Sequence, residues 1–479
     1  MININHITMC LICKGKSLKN LKELFVCENI TTLPELPLSI TSLKCYGCPL
    51  LTTLPELPLS IISFNCSNCP LLTTLPELPL SITSLNCSMC PLTTLPKLPQ
   101  SLIYLNCSKC PLLTTLPVLP QSLIYLYCYG CLLLTTLPEL PLSITNFNCS
   151  NCPLLTTLPE LPLSLKELYC ANCYLLTILS KLPQSLIYLN CGMCPLTMLP
   201  ELPLSITSLN CYGCLLLTTL PELPLSITNF NCSNCPLLTT LPELPQSLKD
   251  INCYNCPLLT TLPELPQSLI YLNCGMCPLL TTFPELPQSL RDLNCNNCPL
   301  IITIPELPQS LKDINCYNCP LLTTLPELPQ SLIYLNCGMC PLLTKLPELP
   351  LSITNFNCSN CPSLQYLPEL PQSLKELYCH DCSLLTTLPE LPQSLTQLNC
   401  SGCTSLIFIP KKALEFISSE LLDIINNNYL KWRQEKTYNW FSSTHGIVYE
   451  DLIKKTWHPS RVVDWCWDTE EVKWFKTLK

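Results

Sequence analysis

The stretch "CPLLTTLPELPQSLIYLNCGMC", Cys256 to Cys277, begins and ends with a cysteine that belongs to a Cys-x-x-Cys pair. Eighteen such pairs lie between Cys45 and Cys403. Fifteen of the seventeen intervals between them are 21 residues long, and the other two, at 20, each lack one leucine. A fixed period of this length is typical of a solenoid, in which each repeat is buried only by its neighbours.

Each repeat contains the pattern Leu-x-x-Leu-x-Cys-x-x-Cys, as at Ile40, Leu43, Cys45 and Cys48. The alternation around the second leucine predicts a short strand with one buried face. The segment "LPELP" cannot be helical, because its prolines remove backbone donors and hold their neighbours extended. We therefore expect one strand, one turn and one extended return in every repeat.

The first repeat, "LKELFVCENITTLPELP" (Leu21 to Pro37), has Val26 and Asn29 where later repeats have the two cysteines. It resembles the leucine-rich repeats of the short Leu-Pro-x-Leu-Pro subclass, best known from bacterial effector proteins. The resemblance covers residues 17–410, about nineteen repeats. It implies a horseshoe with a parallel β-sheet on the concave face and extended, polyproline-like returns on the convex face.

The same resemblance implies a role for each cysteine of a pair. The first, as at Cys45, is a core residue, and the second, as at Cys48, belongs to a ladder inside the turn. The alternative is that pairs of this spacing bind zinc, which needs four convergent ligands. Every pair would then have to leave the core position that the repeat assigns to it, so we expect packed thiols, with no metal and no cofactor.

The cysteine-rich repeats are followed by a tryptophan-rich tail that includes "TWHPSRVVDWCWD", Thr456 to Asp468. This combination is similar to uncharacterised leucine-rich repeat proteins of giant DNA viruses such as mimivirus. The resemblance implies a viral protein that engages a host protein in the host cytoplasm.

Composition favours an intracellular, cytoplasmic protein with no membrane association. Mean hydropathy is +0.32, yet polar residues and prolines interrupt every repeat before an apolar run reaches the roughly 18 residues of a membrane-spanning helix. The amino terminus lacks the features of a signal peptide. Seven Asn-Cys-Ser sequences would be glycosylation acceptors on the strands of a secreted protein, so a reducing compartment fits better.

Charge argues against nucleic-acid binding. The chain carries a net charge of −8, and residues 1–403 account for −9 of it, with +1 in the remainder. Fifteen glutamates of the "LPELP" segments, from Glu35 to Glu390, form an acidic ridge along the returns. Phosphate contacts require a basic face. The ridge is interpreted as a solvated edge, and a docking strip for a basic partner is the alternative.

Little in the sequence indicates catalysis, so we expect no enzyme and no catalytic residue. None of the four histidines lies in a nucleophile or metal motif. Effectors with this repeat subclass often carry a ubiquitin ligase domain with a Cys-x-Asp nucleophile motif, and this chain has Cys466-Trp467-Asp468. A ubiquitin-ligase effector or adaptor that acts through the tail therefore remains an alternative, as does a structural component of a particle.

The domain organisation follows from these segments. We expect an amino-terminal cap over residues 1–16, the repeat array over 17–410 and a tail over 411–479 that contains all six tryptophans. The tail is interpreted as a small helical cap for the last repeat. Its helix is predicted to start at Lys411 and to bury one face, formed by Leu414, Ile417, Leu421 and Ile424.

The solvent-facing positions of each strand are predicted to lie three residues before, one before and one after the first cysteine. The position just before it is Asn in fourteen of eighteen repeats, with Lys44, Tyr127, Tyr169 and Tyr378 as exceptions. An amide-rich face with tyrosines suits protein recognition. Glycan binding, or asparagines that are merely solvated, are the alternatives.

One repeat has tyrosine at all three of these positions, and the repeat before it adds a fourth. The sequence therefore predicts a protein-binding site at Tyr104, Tyr125, Tyr127 and Tyr129. The function predicted for the chain is a non-catalytic, monomeric scaffold for protein–protein interaction.

Overall fold

The computed structural model describes residue 18 and residues 20–441, with side chains to residue 435. The predicted amino-terminal cap and the Cys466-Trp467-Asp468 motif lie outside this range. The chain divides into two compact units, Met1–Cys277 and Pro278–Lys479. The first contains thirteen strands, and the second contains six strands and the tail.

Every repeat contributes one strand of three residues, as the sequence predicts. In the first unit the strands are β1 (Glu23–Phe25), β2 (Ser42–Lys44), β3 (Ser63–Asn65), β4 (Ser84–Asn86), β5 (Tyr104–Asn106), β6 (Tyr125–Tyr127), β7 (Asn146–Asn148), β8 (Glu167–Tyr169), β9 (Tyr188–Asn190), β10 (Ser208–Asn210), β11 (Asn229–Asn231), β12 (Asp250–Asn252) and β13 (Tyr271–Asn273). In the second they are β14 (Asp292–Asn294), β15 (Asp313–Asn315), β16 (Tyr334–Asn336), β17 (Asn355–Asn357), β18 (Glu376–Tyr378) and β19 (Gln397–Asn399).

Within each unit, consecutive strands pair in parallel and in strict register. Leu105 of β5 lies beside Leu126 of β6, which lies beside Phe147 of β7. The 20-residue interval between β4 and β5 does not disturb this register, since Leu85 still pairs with Leu105. The missing leucine is therefore absorbed outside the strand, and the predicted parallel-sheet solenoid is confirmed.

The core of each repeat lies between its strand and its extended return. In the repeat of β6, Leu123, Leu126, Cys128 and Cys131 are fully buried, and the same four positions are buried in neighbouring repeats. Apolar side chains of one repeat thus contact only those of the next repeats, which is how a solenoid builds a continuous core.

The second cysteines form the predicted ladder. The Cys69 thiol donates to the Cys45 carbonyl at 3.0 Å, and the Cys152 thiol donates to the Cys128 carbonyl at 3.3 Å. The same contact links the second cysteine of most repeats to the first cysteine of the repeat before. Each thiol thereby satisfies a buried carbonyl that the strand leaves unpaired.

Burial makes the first cysteines of the pairs chemically quiet, since it raises the pKa of the Cys87 and Cys107 thiols well above the ordinary value. The second cysteines differ from one another, because burial raises the pKa of Cys131 to about 11, whereas hydrogen bonds from neighbouring cysteine thiols lower the pKa of Cys69 and Cys173. A thiol that stays protonated at neutral pH is a poor nucleophile and a poor metal ligand. In the described part of the chain, the cysteines are free and no three potential ligands are placed to hold a metal ion.

A second ladder is built from serine, which sequence analysis overlooked. The serine six residues before the first cysteine donates its hydroxyl to a carbonyl of the preceding repeat, as in Ser81 to Ile61 at 2.6 Å and Ser226 to Ile206 at 2.6 Å. Seventeen repeats with a cysteine pair make this contact, from Ser39 to Ser394. The serine therefore closes the corner between return and strand.

The tail begins with a 3-10 helix, Lys411–Glu415, and continues with α1, Ser419–Phe441. The predicted buried face is right at Leu421 but wrong at Leu414, Ile417 and Ile424, because the break between these two helices shifts the register of α1. Leu421, Ile425 and Tyr429 are buried, whereas Ile424 is only half-buried.

Contacts of α1 with the final repeat support a capping role. The Asn428 amide donates to the carbonyls of Thr404 at 2.6 Å and Leu406 at 3.0 Å. The Phe408 ring packs edge-on against Tyr429 and Trp432, with centroids 5.8 and 5.1 Å away. We propose that the tail caps the array by covering the core of its last repeat.

Replacing the two cysteines of one pair by serine, one at a time, distinguishes the core role of the first cysteine from the ladder role of the second. Cys110→Ser should be tolerated, because its hydroxyl can donate to the Cys87 carbonyl, now 3.3 Å from the thiol. Cys107→Ser puts a hydroxyl in the apolar core and should lower the free energy of unfolding by about 1–3 kcal/mol. Equilibrium urea unfolding measures both, and equal losses would contradict the two roles.

Deleting the chain after Pro410 should expose the last repeat and cause fraying or aggregation. Ile425→Ala tests the same contact within the full chain and should cost about 2–5 kcal/mol in unfolding free energy. Leu430→Ala is the matched control, since Leu430 is 51% exposed on the same helix. A monomeric truncated array with an unchanged melting curve would show that the tail is not a cap.

Candidate protein-binding surface

The solvent-facing side of each strand carries two side chains, three residues and one residue before the first cysteine. The middle residue of the strand is buried and these two are half-buried or exposed in nearly every repeat, as in β5 and β6. We call this side the strand face. The third predicted position, just after the first cysteine, lies beyond the strand in the turn, where Ser108 and Ala171 are buried.

The asparagines of the strand face hold the turns. In each of the fourteen repeats with Asn before the first cysteine, its Oδ1 accepts the backbone N–H two residues later, at 2.9–3.3 Å. These residues are Asn65, Asn86, Asn106, Asn148, Asn190, Asn210, Asn231, Asn252, Asn273, Asn294, Asn315, Asn336, Asn357 and Asn399. They are structural Asx turns, and not the free amides that the sequence suggested.

This hydrogen bond stabilises a demanding backbone conformation. The residue just before the second cysteine has positive φ in every Cys-x-x-Cys turn, with values such as 56° at Asn151 and 71° at Gly130. Left-handed geometry costs least for glycine and asparagine. Methionine occupies it at Met89 and Met193, so the surrounding bonds hold the turn even where its residue is unfavourable.

Tyr127, Tyr169 and Tyr378 replace asparagine on the strand face. A tyrosine has no amide oxygen to accept the turn N–H, so these three repeats give up the bond that fourteen others make. The loss is of the order of 1 kcal/mol per repeat. A local departure of this kind in an otherwise consistent sequence is expected at functional sites.

Three of the four predicted tyrosines are in contact. The Tyr104 ring lies 6.4 Å from Tyr125 and 5.6 Å from Tyr127, on the adjacent strands β5 and β6. These three residues are the tyrosine patch. Tyr129 instead lies in the turn, where the Lys109 ammonium is 5.7 Å from its ring centroid.

The tyrosine patch is apolar and accessible. Tyr125 is 38% exposed, and Ile103, which precedes Tyr104, is also 38% exposed. Burial raises the pKa of Tyr127, and Tyr104 and Glu167 add to that shift, so its hydroxyl stays protonated at neutral pH. The patch therefore combines ring surface with hydroxyl donors.

A second group of aromatic residues lies on β8 and β9 and was missed by sequence reasoning. The rings of Tyr169 and Tyr188 are 4.7 Å apart with an interplanar angle of 34°, and the Tyr169 hydroxyl donates to Glu167 Oε2 at 3.2 Å. The available signal was the replacement of Asn by Tyr at Tyr169, combined with the tyrosine 19 residues later in the adjacent repeat.

The acidic ridge lies on the returns, as predicted. Its glutamates are exposed, and the ridge is interrupted by Lys97, Val118 and Lys181. These substitutions belong to the repeats of β5, β6 and β9, which are also the repeats that place Tyr104, Tyr125 and Tyr188 on the strand face.

Among the described residues, no helix is long and apolar enough to cross a membrane. His380, the histidine within the repeats, lies 3.3 Å from the Asn360 amide nitrogen. Apart from Cys27, the described thiols are buried, so the strand face presents mainly amides, hydroxyls, rings and carboxylates.

Comparison with solved structures identifies a similar protein. The chain is similar to YopM from Yersinia enterocolitica WA-314, with a TM-score of 0.66 and 32% sequence identity over 81% of this chain and 89% of that one. No family model and no curated protein sequence matches. With one parallel strand per repeat and this identity, the chain belongs to the leucine-rich repeat proteins, the family of YopM.

Proposed function

We propose that the protein is a non-catalytic scaffold that binds another protein through the strand face of its first unit. The binding site is centred on Tyr104, Tyr125, Tyr127 and Tyr129. The observation that carries the proposal is Tyr127, which occupies a position where asparagine would hold the turn. Its presence lowers the stability of its own repeat, so its benefit lies in what the ring contacts outside the array.

The tyrosine patch has the chemistry of a protein-binding hot spot. Tyrosine offers large, rigid contact area with little side-chain entropy to lose, and aromatic anchors dominate interface energies. Tyr104 supports Tyr127 from the neighbouring strand at 5.6 Å, so the rings are partly ordered before any partner arrives. Preorganisation of this kind reduces the cost of binding.

The neighbouring asparagines add directional donors. Asn106 and Asn148 flank Tyr127 on β5 and β7, and each uses its Oδ1 for the turn. The Nδ2 group of an asparagine carries two N–H donors. The surround of the patch therefore favours acceptors, such as the backbone carbonyls of a peptide segment.

The resemblance of the repeats and tail to giant-virus proteins extends the proposal to a viral protein that binds a host protein in the host cytoplasm. A reducing compartment suits an array whose cysteines are core and ladder residues. We propose a monomer, because the acidic ridge gives the returns of every copy the same sign of charge.

Changing Tyr125, Tyr127 and Tyr129 together to Ser should weaken a partner captured from the native cell at least about tenfold. Folding should be nearly unchanged, because these rings point away from the core. Surface plasmon resonance measures the affinity, and circular dichroism measures the fold. Tyr334→Ser is the control, since Tyr334 holds the same strand position as Tyr125, next to Asn336.

A triple variant that folds normally and keeps full affinity would contradict the proposed site. Equal weakening by Tyr334→Ser would also contradict it, because binding would then be spread along the array.

A further inference from the structure

We propose that Glu167, Tyr169 and Tyr188 form a binding site for a cationic side chain, an arginine or lysine of the partner protein. This inference rests on the proposed function and names the chemistry of the partner. It uses residues of β8 and β9 that lie beyond the tyrosine patch.

The strand register brings the three side chains together. Glu167 of β8 pairs with Tyr188 of β9, and Tyr169 follows Glu167 by two residues on the same face. The Lys166 carbonyl accepts the N–H groups of Ile187 at 2.8 Å and Tyr188 at 3.0 Å, which fixes β9 beside β8. The carboxylate and both rings are therefore held by backbone bonds at one place.

The ring pair presents a surface that attracts positive charge. The Tyr169 and Tyr188 centroids are 4.7 Å apart, and their outer faces carry the negative π density that binds ammonium and guanidinium groups. Both residues are half-buried, so a cation placed on them loses part of its water and is attracted more strongly than it would be at a fully exposed site.

Glu167 provides the negative charge of the site, and its orientation determines where a cation can bind. Its Oε2 accepts the Tyr169 hydroxyl at 3.2 Å, which orients the carboxylate while both oxygens keep lone pairs for a ligand. Burial and then Glu167 raise the pKa of Tyr169 to about 12, so the phenol remains neutral and Glu167 supplies a single negative charge. A planar guanidinium can lie on a ring and donate to this carboxylate at once.

The site adjoins the tyrosine patch. Tyr127 of β6 pairs with Asn148 of β7, which pairs with Tyr169 of β8. Tyr127 and Tyr169 are therefore two strands apart, and each strand spacing is roughly 4.8 Å. Neighbouring side chains of one bound peptide can span this distance. A partner segment with an apolar residue on the patch and a basic residue on Glu167 fits both.

The second unit contains a natural control. Glu376 and Tyr378 of β18 repeat the Glu-Leu-Tyr sequence, and the Tyr378 hydroxyl approaches Glu376 Oε2 at 3.4 Å. On β19, Gln397 stands where β9 has Tyr188, and its Oε1 accepts the Tyr378 hydroxyl at 2.6 Å. Strands β18 and β19 therefore provide the carboxylate of Glu376 but only the one ring of Tyr378, and we expect no cation site there.

The test uses the full-length protein and two small probes. N-acetyl-arginine methylamide carries the guanidinium, and the citrulline analogue is its neutral isostere. Saturation-transfer NMR should show the arginine probe binding at least about fivefold more tightly than citrulline. Glu167→Gln should remove this preference, and Glu376→Gln should leave it unchanged.

Equal binding of the two probes, or equal effects of the two Gln variants, would overturn the cation site. Tyr188→Gln, which copies the arrangement at Gln397, should also reduce the preference, and a full preference in this variant would overturn the role of the ring pair. These outcomes do not depend on the captured partner. The proposed function fails separately, if the triple Ser variant retains that partner.

Discussion

The hydrogen bond from a turn N–H to the asparagine two residues before it is the constraint on which the strand face depends. Every Cys-x-x-Cys turn contains a residue with positive φ, and in fourteen of these turns the asparagine side-chain carbonyl fixes the chain as it enters the turn. The turn then directs the second cysteine inward, where the thiol reaches the carbonyl of the preceding repeat. Asn148 and Cys152 show both bonds in one repeat, at 3.0 and 3.3 Å. A residue that faces solvent thus organises the core beneath it.

Because this bond recurs in fourteen repeats, the repeats that lack it indicate where another requirement outweighs local stability. Most repeats of the array use the same asparagine hydrogen bond to hold their turn. Tyr127 and Tyr169 lack this bond, and each ring instead packs against another ring, that of Tyr104 or Tyr188 respectively. Both lie within five consecutive strands of the first unit. Function in a uniform solenoid is therefore best sought where uniformity fails.

The sequence predicts the fold well because the repeat spacing and the apolar positions have few alternatives. Cys128 occupies the apolar position that Val26 holds in the first repeat, so its burial follows from register alone. The role of asparagine could not be read in the same way, since a solvated amide and an Asx turn have the same sequence pattern. Ser81 was overlooked because a polar residue in a turn needs no explanation until its carbonyl partner is seen. The face of α1 was predicted from the wrong starting point, and a helix break after Glu415 moved Ile425 inward.

The most direct test compares two asparagines of one strand. On β11, Asn231 accepts the Ser233 N–H at 3.0 Å, whereas Asn229 accepts the exposed Thr228 hydroxyl at 2.8 Å. Urea unfolding of Asn231→Ala should show a loss of about 0.5–1.5 kcal/mol, because a buried turn donor loses its partner. Asn229→Ala should change stability by less than about 0.5 kcal/mol, since Asn229 is exposed and water replaces its contacts with the Thr228 hydroxyl and the Asp250 carboxylate. Equal effects of the two variants would contradict the structural role of the asparagine column, and with it the significance of the tyrosines that interrupt it.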